Sequence, residues 1–234
     1  ALVSLTLSTS MVVNAGVIYW ADWQSNTSTE VLGEFVTNTS TIDIVYNNPQ
    51  GISFLQNGTG VDYFNNHQAP SLSPYTSSVV DNIPTASEMI ALEYAGDQTL
   101  SFSESVANLV LSFVSLNGSN YYSFDQDFDI LSVGGVDGKS AGYWGAGTAS
   151  KNIVDHGNGN IEYQLLGTGE PHGTIQFKGS FHDLSWNSHN DEEWNGFTVG
   201  IEGASKDVFT EVPEPSTLAI FSLGLLGLVT RRIN

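Results

Sequence analysis

Cysteine is absent from all 234 residues. That leaves no disulfide framework, no thiolate nucleophile and no lipidation site for a lipoprotein anchor, so stability must come from a packed core. Positive charge is nearly as scarce: six basic residues face 25 acidic ones, the formal charge is −19, and Lys139 is the first of the six. A surface so poor in cations cannot neutralise phosphates, which excludes nucleic acid as a partner. Anionic headgroups and acidic polysaccharide are repelled unless a divalent cation intervenes, and the same acidity keeps a protein soluble in salt.

Catalytic signatures are missing too. His67, His156, His172, His182 and His189 are scattered with no His-Glu-x-x-His. The run Gly142-Tyr143-Trp144-Gly145-Ala146-Gly147 lacks the lysine and the helix pattern of a phosphate loop. The chain therefore reads as a non-enzyme without a cofactor, with calcium the one metal its carboxylates invite.

Helical periodicity is the last absence. Interior segments alternate with a period of two, which predicts an all-β chain. Strands are expected at 31–36, 41–46 with Ile42 and Ile44 inward, 90–94, 99–106, 109–116, 124–133, 161–165, 174–177, 181–186 and 197–201. Turns such as Asn57-Gly58, Asp137-Gly138 and Asn158-Gly159 separate them. Short strands, Gly-rich turns and no amphipathic helices point to a β-sandwich of jelly-roll type, whereas a β-helix needs a fixed short repeat that is not there. Residues 47–81 read as long loops, with one helical turn expected within 78–88.

The carboxyl end carries the most information. Val212-Pro213-Glu214-Pro215-Ser216 leads into an uncharged run from Ser216 to Val229, and Arg231-Arg232 follow. Fourteen residues at about 1.5 Å each make roughly 21 Å of helix, against about 30 Å of hydrocarbon. Such a segment serves as a transient hook, a sorting tag or a buried core helix, and the flanking prolines favour an extended, cleavable lead over the last. The arginines hold their flank on the cytoplasmic side and place the upstream domain across the inner membrane.

Pro213-Glu214-Pro215, the short apolar helix and Arg231-Arg232, in that order, resemble the PEP-CTERM sorting signal of Gram-negative bacteria. The resemblance covers only the tail. It implies export, processing by an exosortase-type membrane enzyme, transient insertion of the helix in the inner membrane, and delivery to the cell surface or the extracellular polysaccharide matrix. Gly142-Tyr143-Trp144-Gly145, His172-Gly173-Thr174-Ile175, Phe181 to Trp186 and Glu193 to Gly200 make the stretch from Gly142 to Gly200 also similar to central domains of some exosortase-dependent surface proteins. That second likeness names no ligand.

The amino end agrees with export. Residues 1–13 are apolar and uncharged and lead to Val13-Asn14-Ala15, a small-residue cleavage pattern, although a first β-strand would read similarly. The organisation expected is a signal-peptide remnant at 1–15, a β-sandwich domain at 16–210 and a sorting tail at 211–234.

Two clusters outside the tail carry candidate chemistry. If 124–133 is one strand, Asp125, Asp127 and Asp129 share a face, where they form either a calcium site or a solvated polar face. Trp20, Trp23, Tyr143, Trp144, Trp186 and Trp194 lie near expected strand ends or loops, where rings can stack on sugars; Tyr143 and Trp144, in the glycine-rich run, are the leading candidates, while Trp186 alternates with Leu184 as a core residue would. The resulting expectation is a structural or adhesive surface protein linked to exopolysaccharide. The alternatives are a carbohydrate-binding module, with or without calcium, and a glycan-active enzyme.

Overall fold

The computed structural model describes residues 16–65, 67–117 and 120–209. The expected signal remnant at 1–15 and the tail at 211–234, with its apolar helix, lie outside the described residues. Among the described residues no helix is long and apolar enough to cross a membrane.

Two antiparallel sheets pack face to face. The larger holds β2 (Asp22–Asn26), β3 (Glu30–Val36), β4 (Thr41–Asn47), β7 (Gly96–Ala107), β9 (Tyr121–Phe124), β11 (Gly147–Asp155), β12 (Ile161–Gly169), β14 (Ser180–Ser188) and β16 (Gly203–Ala204). The smaller holds β1 (Tyr19–Trp20), β5 (Phe54–Asn57), β6 (Glu88–Leu92), β8 (Val110–Val114), β10 (Asp129–Val133), β13 (His172–Gln176) and β15 (Asn195–Ile201). A four-residue helix, α1 (Ser205–Val208), closes the described chain.

The pairings nest. β7 pairs β14, β8 pairs β13 and β9 pairs β12, as if a long ribbon had been doubled back and rolled across both sheets. β14 then lies beside β9 and β13 beside β10, the interleaving of a jelly roll. One pair departs from the pattern. β11, which would close the ribbon on β10, pairs with β12 instead and forms an edge of the larger sheet.

Alternation builds the larger sheet's inner face: Val31 and Phe35 on β3, Ile42, Ile44 and Tyr46 on β4, and Leu184 and Trp186 on β14 are buried. Polar neighbours point to water. The smaller sheet is buried on both faces: β6, β8, β13 and β15 are buried at every position. Residues 58–87 explain this by folding across its outer face, where Phe64 and Tyr75 pack on Met89, Ala91 and Val114. Thr174 Oγ1 donates to the Tyr75 carbonyl at 3.0 Å and Ser132 Oγ to the Pro74 carbonyl at 2.6 Å, which ties that cover to the sheet.

Three expectations need correction. No helical turn forms within 78–88, and among the described residues between β5 and β6 a 3-10 turn spans Pro70–Leu72. Residues 47–81 are indeed mostly loop, yet they contain β5. Residues 124–133 are two strands in different sheets, since the chain leaves the larger sheet after Phe124 and enters the smaller one at Asp129.

Candidate functional site: an aromatic cleft at one end of the sandwich

The glycine-rich loop between β10 and β11 closes through a hydrogen bond from the Gly145 N–H to the Gly142 carbonyl at 3.1 Å. Tyr143 and Trp144 stand at its tip, 42% and 50% exposed. The loop lies low because Gly142 has no side chain: a Cβ there would fall 1.9 Å from the His172 ring.

His172, at the start of β13, is fully buried, and burial lowers its pKa to about 4. A neutral ring accepts at one nitrogen and donates at the other. The Trp144 N–H points at Nε2 from 3.5 Å, so Nδ1 carries the proton and donates to the Tyr75 hydroxyl at 3.0 Å. Tyr75 in turn donates to the Tyr63 carbonyl at 3.4 Å. This relay connects the loop of Tyr63 to the loop of Trp144.

The rings assemble across loops distant in sequence. Tyr63 meets Tyr143 at 4.9 Å and Trp194 at 5.1 Å, and stacks at 29° on Trp144. Trp194, from the connection between β14 and β15, also contacts Phe54 at 5.3 Å and Trp144 at 6.0 Å. Beside them opens a cleft of about 290 Å³ lined by Ser115, Asn117, Trp144, Glu170, Glu193 and Trp194. Ser115 takes a left-handed φ of +58° and donates its hydroxyl to Glu170 Oε2. Glu192 lies nearby, with Oε1 accepting from Asn120 Nδ2 at 2.9 Å and from Asn195 Nδ2. Burial pushes its carboxyl upward and these amide donors oppose that shift.

Gly142→Ala tests the anchoring of this loop. Overpacking against the ring of His172 is expected to cost about 1–3 kcal/mol and to lift Trp144 away from Trp194. A melting curve together with tryptophan fluorescence reads both, and an unchanged pair of values would refute the close approach.

The other aromatic candidates divide clearly. Trp23 and Trp186 are core residues, Trp23 donating from Nε1 to Thr198 Oγ1 at 3.2 Å, and Trp20 is 9% exposed. Tyr63 and Glu170 escape sequence reading, because neither sits in a motif and only the fold brings them to Trp144.

The aspartates do not share a strand face, because the chain changes sheet between them. Asp127 binds Lys151, which also donates to the Phe128 carbonyl at 2.7 Å, while Asp129 pairs with Lys178 at 2.6 Å. Asp125 lines a separate surface hollow with Gln126 and His182. Lysines thus sit where a cation was expected beside two of the three carboxylates.

A polar cluster on the larger sheet has the residue types of a hydrolase triad. Ser123 Oγ donates to Glu162 Oε1 at 2.5 Å and lies 2.7 Å from His189 Nε2, while His156 Nε2 is 2.6 Å from Glu162 Oε2. The serine stands between histidine and carboxylate, so the imidazole has no acid to orient it as a base for that hydroxyl. The consequence is for stability. Hydrogen bonds from Ser123, Gln164 and His156 lower Glu162 from 4.5 to about 2. A depressed folded pKa contributes stability above the ordinary value that is lost as pH falls through the folded one. Glu162→Gln should therefore flatten the urea-unfolding stability between about pH 4.5 and 2, and an unchanged slope would contradict this.

Residues 211–233 match the family model described as the PEP-CTERM protein-sorting motif. Pro213, Glu214, Pro215, Arg231 and Arg232 all lie inside that match. No curated protein and no solved structure matches the chain. That motif, behind the sandwich, indicates an exosortase-sorted exported protein and implies a destination at the cell surface or in the extracellular space.

Proposed function

We propose that the sandwich is a glycan-holding module, giving the exported protein an adhesive or structural role in extracellular polysaccharide. The observation that carries this reading is the cleft flanked by Trp144 and Trp194 and rimmed by Ser115, Asn117, Glu170 and Glu193. Flat apolar rings beside a few fixed polar groups suit a sugar, whose ring has one apolar face and hydroxyls at its edge. On this reading the tail is cut by an exosortase-type enzyme while its helix rests transiently in the inner membrane, and the module is then delivered outside.

A glycan array probed with and without chelator tests the reading. Trp144→Ala is expected to weaken binding by about 30-fold, the effect of losing roughly 2 kcal/mol at a binding centre. Silence of the intact protein across the array would refute recognition and leave a purely structural part. Calcium dependence appears as a difference between the two arms.

Glu170 and Glu193 favour a second reading, glycan hydrolysis, since that reaction uses two carboxyl groups at one site. New reducing ends that vanish in Glu193→Gln would establish it. Their absence on prolonged incubation would return the cleft to binding alone.

A further inference from the structure

The chemistry of the rim narrows the ligand, if the cleft is the glycan site just proposed. Among the described residues no lysine, arginine or histidine lines the cleft, whereas two carboxylates do. The four described lysines are engaged elsewhere: Lys139 with Thr76, Lys151 with Asp127, Lys178 with Asp129 and Lys206 with Glu104. Glu192 adds a third acidic group close enough to Glu170 for their charges to interact. A uronic-acid polymer would find no counter-charge here and would be repelled by Glu170 and Glu193. A sugar bearing an ammonium group would meet both carboxylates, and the faces of Trp144 and Trp194 attract a cation as well. The volume, about 290 Å³, lies near the lower end of the roughly 300–1,000 Å³ of ordinary ligand pockets, so the cleft suits a single sugar unit with the chain running out of its open side.

We infer that the cleft selects glycans carrying free, protonated amino groups, such as partly deacetylated amino-sugar polymers, over their fully acetylated and their acidic counterparts. Specificity then resides in Glu170 and Glu193, and the tryptophans supply the sequence-independent stacking.

Calorimetric titration of the full chain with three oligosaccharides of equal length tests this: glucosamine, N-acetylglucosamine and galacturonate oligomers, in mildly acidic buffer at low and high salt. The glucosamine oligomer is expected to bind about 5–10-fold tighter than the acetylated one, the ratio that two partly exposed ion pairs supply, and added salt should shrink the ratio. In Glu170→Gln and Glu193→Gln, read separately and together, that ratio should fall towards one. Galacturonate should not bind.

Equal affinity for the amino and acetylated oligomers would overturn the selectivity while leaving the glycan site in place. Tightest binding of galacturonate would overturn it as well. Undiminished binding of glucosamine by Trp144→Ala would show attraction to the acidic surface at large and sink the inference. No binding of any of the three would defeat both the inference and the reading beneath it.

Discussion

Trp186→Ala should lower the stability of the domain by about 3–5 kcal/mol, the cost of emptying a large aromatic site in a core. Trp186 is 3% exposed and lies between the sheets, 5.3 Å from Phe197, 5.9 Å from Tyr46 and 6.2 Å from Phe124. Those partners come from β4, β9 and β15, so the hole would open where both layers meet. For a domain of this size the loss corresponds to a fall of about 6–20 °C in melting temperature. Trp144→Ala, by contrast, removes a ring that is half exposed, and its melting temperature should move far less. If the two variants melt alike, the division of the tryptophans into core and site is wrong.

The second large effect concerns the tail. Changing Pro213 and Pro215 together to alanine should stop carboxyl-terminal processing almost completely. Proline restricts its own backbone and disfavours the helical region for the residue before it, the kind of constraint by which a processing enzyme could recognise a peptide. Alanine removes that constraint and favours helix instead. The readout is the mass of the protein recovered from cells and medium. Accumulation of full-length chain in the membrane fraction is the expected result, and normal processing of the double variant would overturn the role assigned to the prolines.

Strand patterning shows which parts of the fold were legible. β3, β4, β7 and β14 alternate because one face meets the core and the other meets water, so period-two reading finds them. β11 was missed since it is an edge strand of Thr, Ser, Lys and Asn with no residue fully buried. Phe124 to Val133 deceived the pattern for a different reason. The chain crosses between sheets at Asp125, yet Phe128 still turns inward, 2% exposed, against Phe124 and Phe177. An inward aromatic in the crossover imitates continued alternation, so the three aspartates read as sharing one face.

The cleft is legible only in its aromatic candidates Tyr143, Trp144 and Trp194, not in their convergence. Glycines around Tyr143 and Trp144 signal a loop that displays its side chains, and the structure exposes both. Tyr63, Glu170 and Trp194 belong to three other connections, gathered by the pairing of β8 with β13 and β15. Spacing along the chain carries no record of that convergence. His172 was equally silent, because its work is to be buried and neutral beneath a glycine. The tail is the opposite case: an enzyme reads it as a peptide, so its chemistry is local and stands in the sequence itself.

Mass spectrometry of the protein at its destination tests the central claim, that a short disposable tail directs an acidic β-sandwich outside the cell. The account predicts chains recovered from the surface or the medium that have lost Arg231 and Arg232 along with the apolar segment before them. Chains ending at intact Asn234 and residing in the cytosol would contradict it.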